Sequence, residues 1–166
     1  IIADEKSLER FPQHPSLPTL IPQNAAAVKK IPRTASCGAN DLAYIIFTSG
    51  TTGVPKGVMV SISNLRHVLR VCCERYRLGS TDRISQAFET SYDASLFVLF
   101  MAWWNGASLH VVPESELLAP AHFIRTRELT VWNSVPAIAT FMRRAGQLKP
   151  EVFSSLRYSW FGGERF

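Results

Sequence analysis

The sequence predicts an α/β fold in which a mostly parallel sheet is covered by helices. Three observations predict it. From Asp41 onward, short apolar runs of strand length alternate with segments whose apolar residues recur every three or four positions. Residues 42–47 are almost continuously apolar, the pattern of a strand buried on both faces. Cap-forming residues such as Ser63 and Gly79 fall where helical periodicity begins and stops.

The elements follow in order. Residues 1–40 form an irregular lead-in: from Phe11 to Asn40 the chain is rich in Pro, Ser and Ala, with prolines at 12, 15, 18, 22 and 32. Residues 41–166 read as the α/β core. The strand over 42–47 runs into a Gly-rich segment, and Val58-Met59-Val60 returns as the second strand of a hairpin. A helix over 63–78 has Ser63 as N-cap, Leu65, Val68, Leu69, Cys72 and Tyr76 on its apolar side, and Gly79 as C-cap. A strand over 83–88 comes next, then a helix from Asp93 to Asn105-Gly106. Strand 107–112, helix 121–128, strand 130–135, helix 137–146 and strand 156–161 complete the run. Ile1-Ile2-Ala3-Asp4 reads as the end of a buried strand, and the last residues as a strand entering a loop. The chain is therefore expected to be an internal piece of a larger domain.

Bulk properties exclude several classes. With 166 residues, 46% hydrophobic and 19% charged, the chain has enough apolar content for a core of about one domain. The net charge of +5 is scattered, with only Lys29-Lys30 and Arg143-Arg144 paired, and Arg66, Arg70 and Arg77 at helical spacing fit a solvated face. No nucleic-acid partner is expected. Cys37, Cys72 and Cys73 lack metal-ligand spacing and fit a reducing, cytoplasmic setting. No apolar run approaches the roughly 20 residues of a bilayer span, so no membrane association is expected.

The chemistry concentrates in Thr48-Ser49-Gly50-Thr51-Thr52-Gly53-Val54-Pro55-Lys56-Gly57. Its glycines let main-chain N–H groups approach a ligand closely. Thr48, Ser49, Thr51 and Thr52 add hydroxyls, and Lys56 adds a positive charge behind the stiffening Pro55. Backbone amides, hydroxyls and one lysine make a phosphate cradle. It is not a P-loop, because no Gly-Lys-Ser/Thr occurs.

This string resembles the signature loop of the adenylate-forming superfamily, Tyr/Phe-Thr-Ser-Gly-Ser/Thr-Thr-Gly-x-Pro-Lys-Gly, which Phe47 to Gly57 matches throughout. The resemblance implies that the chain is part of the large N-terminal subdomain of such an enzyme. It also implies that Thr48, Ser49, Gly50, Thr51, Thr52, Gly53 and Lys56 hold the β- and γ-phosphates of ATP while a carboxylate attacks the α-phosphate. Leu156-Arg157-Tyr158-Ser159-Trp160-Phe161-Gly162-Gly163-Glu164 resembles the strand leading to the adenine pocket, which adds Gly162, Gly163 and Glu164 to the nucleotide-binding set.

Tyr92-Asp93-Ala94-Ser95 selects a branch. On local grounds Asp93 would cap the helix that follows it. The stretch also resembles the Phe-Asp-x-Ser of amino-acid adenylation domains, whose aspartate pairs with the substrate's α-ammonium. Carried over position by position, Asp93, Ala94, Phe97, Asn133, Trp160 and Gly162 would line the substrate pocket, although Phe97 and Trp160 taken singly also fit ordinary core packing. The chain thus resembles the adenylation domain of a nonribosomal peptide synthetase or, through Val131-Trp132-Asn133-Ser134, a standalone amino acid–carrier protein ligase. The resemblance implies an aminoacyl-AMP product, loaded onto the phosphopantetheine thiol of a carrier protein, with ATP and Mg²⁺ as cofactors. Residues beyond Phe166 would supply the Mg²⁺ ligand and a mobile domain's lysine. No metal ligand and no complete catalytic set are expected within this piece, which is expected to be inactive alone. The alternatives are an acyl- or aryl-CoA ligase fragment and a non-catalytic, degenerate nucleotide-binding module.

Overall fold

Successive residues of a strand face opposite sides of its sheet, so the position of the apolar residues decides what must cover each face. A computed structural model describes residues 36–48, 53–117, 119–149 and 151–165, all but the first in one compact unit, Cys37–Phe166. Of the expected lead-in over 1–40, residues 1–35 lie outside the described part. In chain order the elements are β1 (Leu42–Thr48), β2 (Lys56–Ser61), α1 (Ile62–Tyr76), β3 (Arg83–Gln86), α2 (Asp93–Trp104), β4 (Ser108–Val111), a 3-10 turn (Glu114–Glu116), α3 (Pro120–Thr126), β5 (Val131–Ser134), α4 (Pro136–Arg144) and β6 (Tyr158–Phe161).

The last four strands form one sheet in the order β4-β3-β5-β6, and every neighbouring pair is parallel. Helices α2, α3 and α4 supply the crossovers that parallel neighbours require. Val131 and Trp132 face opposite sides of β5 and belong to different clusters. Val131 packs with Ile84, Val98 and Ala102 toward α2. Trp132 packs with Phe123, Ile124 and Met142 from α3 and α4. The sheet is therefore covered on both faces, as the alternating pattern predicts. A third cluster, Leu65, Leu69 and Met101, joins α1 to α2.

β1 and β2 form a separate antiparallel hairpin, with Phe47 opposite Gly57 and Thr48 opposite Lys56. A Cβ on Gly57 would come within 3.1 Å of the Ile45 side chain, so a larger residue there would push that side chain aside. The expected return strand is present, but β1 is not buried on both faces. Ala43 and Tyr44 pack on the α1–α2 cluster, whereas Leu42, Ile45 and Phe47 are exposed. A short apolar run shows strand propensity without saying how many of its faces are covered.

Helix ends differ from expectation in instructive ways. Ser61, not Ser63, is the N-cap of α1: its Oγ accepts from Asn64 N–H, and Asn64 Oδ1 accepts from Ser61 N–H. Asn64 thus fills the role usually taken by Glu in a capping box. At the other end the left-handed residue is Arg77, at φ 48°, rather than Gly79. A polar anchor explains the early stop. The buried Asp82 accepts from Gly79 N–H at 2.8 Å, from Thr130 Oγ1–H at 2.6 Å and from Arg157 at 2.7 Å. The same guanidinium donates to the Arg77 carbonyl at 3.1 Å, so one ion pair ties the end of α1 to the sheet. Burial raises the Asp82 pKa, but the hydrogen bonds from Thr130, Gly79 and Arg157 and the Arg157 charge outweigh it, leaving it below the ordinary carboxylate value. α3 and α4 each begin one residue earlier than expected, on Pro120 and Pro136, as suits proline in the first helical turn.

Candidate functional site

Parallel strands end together at one edge of their sheet, and the order β4-β3-β5-β6 places the change of winding direction between β3 and β5. The crevice outside the carboxyl ends at such a point is where open α/β sheets bind ligands. A cavity of about 500 Å³ lies there. Ala87, Phe88 and Glu89 enter it after β3, Val135 after β5, and Gly162 and Gly163 after β6, while Tyr92, Asp93 and Ala94 bring the start of α2.

The turn before α2 is built by its own polar groups. Tyr92 N–H donates to the Glu89 carbonyl at 3.1 Å, and the buried Ser95 returns its hydroxyl to the Tyr92 carbonyl at 2.7 Å. The N-cap is Tyr92, with no side-chain cap bond, so Asp93 does not perform the capping that local reasoning assigns to it. Asp93 instead stands in the first helical turn, where the helix dipole favours a carboxylate. Among the described residues it makes no hydrogen bond or salt bridge. Tyr44 of the hairpin lies within reach of its charge: burial first, and then Asp93, pushes the Tyr44 phenol upward.

A second cavity of about 180 Å³ abuts the first and shares Phe88, Ala94 and Gly162 with it. Phe97, Asn133 and Trp160 line this inner space, together with Cys72 and Tyr76 from α1. Its aromatic wall is closely set: the Trp160 ring lies 4.7 Å from that of Tyr76 and 5.8 Å from that of Phe97. Asn133 is fixed by two bonds to Ser85, from its backbone N–H to Oγ at 2.7 Å and from its side-chain amide to the carbonyl at 3.0 Å. The six residues named from the sequence for a substrate pocket therefore fall on two contiguous cavities. Sequence reasoning missed Cys72 and Tyr76, which come from a helix the motifs do not touch, whereas Glu89 and Val135 belong to the two stretches, 89–95 and 131–136, that the resemblance points to. For Cys72 and Tyr76 the only available signal was their place on the apolar side of α1.

The nucleotide-binding set is less gathered. Thr48 and Lys56 close the hairpin, with Thr48 Oγ1–H donating to the Lys56 carbonyl at 3.5 Å, and Gly53 has φ 78°. Ser49, Gly50, Thr51 and Thr52 lie outside the described residues. Gly163 adopts φ 90°, and a Cβ on Gly162 would meet nothing within 4 Å, so the cavity has bare backbone along this edge. A flat ligand group fits against such a surface. Glu164 turns elsewhere: its Oε1 accepts from Ala137 N–H at 2.6 Å and so caps α4. Among the described residues no three His, Cys, Asp or Glu side chains group as a metal site.

Comparison with known proteins shows the family. The AMP-binding enzyme family matches residues 3–166. The chain belongs to that family. An L-proline–[L-prolyl-carrier protein] ligase of Pseudomonas fluorescens is 37% identical over 136 residues, 80% of this chain and 27% of the ligase. Tyrocidine synthase 3 of Brevibacillus parabrevis is 37% identical over 131 residues, 76% of this chain and 2% of the synthase. Among solved structures, the Vibrio cholerae adenylation domain AlmE, in complex with glycyl-adenosine-5'-phosphate, superposes with TM-score 0.71 at 36% identity. That match covers 83% of this chain and 25% of AlmE. The chain thus spans about a quarter of the ligase and of AlmE. It is an adenylation-domain portion within the AMP-binding enzyme family, related to amino-acid ligases and nonribosomal peptide synthetases.

Proposed function

We propose that the full-length protein activates an amino acid as its aminoacyl-AMP and passes it to the phosphopantetheine thiol of a carrier protein, acting in the cytoplasm. One observation carries this reading: Asp93 lines the outer cavity, together with Gly162 and Gly163, and its carboxylate has no hydrogen-bonded or ion-paired partner among the described residues. A carboxylate in that position suits an α-ammonium, which donates charge-assisted hydrogen bonds and brings the neutralising charge. The similarity to carrier-protein ligases and synthetases adds support.

In the proposed reaction the substrate's carboxylate oxygen bonds to the α-phosphorus of ATP and pyrophosphate leaves. The carrier thiolate then bonds to the acyl carbon and AMP leaves. Asp93 would orient the amino acid, so that its carboxylate faces the nucleotide. The Thr48–Gly57 loop would grip the β- and γ-phosphates through amides, hydroxyls and the Lys56 charge, an arrangement that favours positioning over covalent chemistry. Glu164 would act at one remove, holding the Gly162–Gly163 edge through its bond to Ala137. Mg²⁺, when bound to the phosphates, would neutralise their charge. The described residues supply no grouped set of ligands for it, and its carboxylate is assigned to the part of the enzyme beyond this chain. The 166-residue chain alone is expected to be inactive.

Amino-acid-dependent exchange of labelled pyrophosphate into ATP by the full-length protein tests the reading. Asp93→Ala should lower that exchange by about 100-fold, the upper scale of one lost charge-assisted hydrogen bond. Exchange that persists in D93A, or that requires a carboxylic acid without an amino group, would overturn it.

A further inference from the structure

We propose that Ser85, which lines neither cavity, is a positioning residue for the amino acid: its two hydrogen bonds to Asn133 clasp β3 to β5 beside the crevice and set the direction of the Asn133 amide. The proposal rests on the function proposed above, because it takes the crevice as the amino acid's site.

The main-chain ladder is thin at this point. β4 pairs with β3 through four residues and β6 pairs with β5 through four, whereas β3 and β5 pair through one residue each, Ile84 and Val131. Ser85 follows Ile84 along β3, and Asn133 lies two residues beyond Val131 along β5. There a side chain takes over from the ladder. A strand N–H usually donates to a main-chain carbonyl, but that of Asn133 donates to Ser85 Oγ at 2.7 Å. The amide adds a second bond, from Nδ2 to the Ser85 carbonyl at 3.0 Å. Past this clasp the two chains border the outer cavity, with Ala87 and Phe88 from one side and Val135 from the other.

The clasp also fixes the chemistry that Asn133 presents. A carbonyl oxygen only accepts, so the Ser85 carbonyl decides which end of the amide faces it. Nδ2 turns toward β3, and Oδ1 makes no hydrogen bond among the described residues. Asn133 lines the inner cavity, so this oxygen is the acceptor it retains for a ligand. Ser85 and Asn133 are 0% and 2% exposed, and buried polar groups are costly unless bonded. Removing the Ser85 hydroxyl leaves the Asn133 N–H without its acceptor. The β5 segment is then free to shift against β3, and the amide shifts with it. Both partners and the strands beside them belong to the described sheet, so the clasp is complete whatever covers the cavities.

The test is pyrophosphate exchange by the full-length protein, with its best substrate among the proteinogenic amino acids, for the wild type, S85A, S85T, N133A and S85A/N133A. S85A should raise KM for the amino acid about fivefold, the scale of one lost neutral hydrogen bond, while kcat and KM for ATP stay within about twofold. S85T keeps the hydroxyl and should bring KM back toward the wild-type value. On the N133A background there is no amide to direct, so adding S85A should change KM by less than about twofold. Thermal unfolding of each variant reads stability separately. Wild-type KM in S85A, equal KM in S85A and S85T, or a full S85A effect on the N133A background would overturn the positioning role and leave the amino-acid reading intact. Should S85A fail to fold, S85C replaces it, because sulfur fills the space but accepts only weakly; wild-type KM in S85C would overturn the role as well. Exchange driven only by acids lacking an ammonium would overturn both.

Discussion

The four-stranded sheet and the β1–β2 hairpin are built from similar apolar strands, yet their surroundings differ sharply. Ile84 and Val131 in the sheet are fully buried, whereas Phe47 and Met59 in the hairpin are 68% and 71% exposed. Both regions have strand propensity. Only the sheet has helices on both faces; the hairpin has α1 against one. Apolar content therefore measures what a strand is able to bury, and its neighbours decide what it does bury. The division also separates positions: the sheet places the two cavities at its carboxyl edge, and the hairpin flanks the segment proposed to grip phosphate.

This contrast is broken most directly by matched truncations. Ile84→Ala should cost about 4 kcal/mol, since it opens a void between two parallel strands and α2. Ile45→Ala on the open face of the hairpin should cost about 0.5 kcal/mol or less. Denaturant unfolding of the two variants measures both, and equal costs would mean that the hairpin face is covered. An effect between these two is expected at the anchor between α1 and the sheet. Arg157→Ala should cost about 3 kcal/mol, because it strands the buried Asp82 charge; the figure is at the low end of such losses because Arg157 is partly solvent-exposed and Gly79 and Thr130 still donate.

The smallest expected effect is the pH dependence of that anchor. The Asp82 carboxyl is held below its ordinary value of 3.8, so the unfolded chain takes up this proton first as pH falls. Its stabilisation is fully present above the ordinary value and is lost as pH drops from there through the folded value. Asp82→Asn should lower stability at neutral pH and flatten this part of the acid limb. An acid limb unchanged in D82N would show that other carboxylates govern it.

Much of the architecture was legible in the sequence because strands and helices of the sheet alternate with clean periodicity. Helix α2 was placed from Asp93, and the strand around Trp132 and Asn133 emerged with its boundaries off by only a residue at either end. Boundaries failed where a distant partner intervened. Arg77 rather than Gly79 takes the left-handed turn because Asp82 and Arg157, 75 residues apart, capture the groups around it. No local pattern encodes that meeting. Glu164 illustrates the same limit, since its helix-capping bond reaches back 27 residues to Ala137.

By itself the sequence determined the α/β alternation, the phosphate-loop motif and the identity of Asp93, because these depend on residue type and short-range order. Tertiary structure alone decided that the strand order reverses between β3 and β5, which puts Asp93, Val135 and Gly162 around one cavity. It also decided that α1 brings Cys72 and Tyr76 to the inner wall, and that one face of β1 stays open. Each of these depends on which elements pack side by side, a long-range outcome of burial that short-range periodicity does not contain.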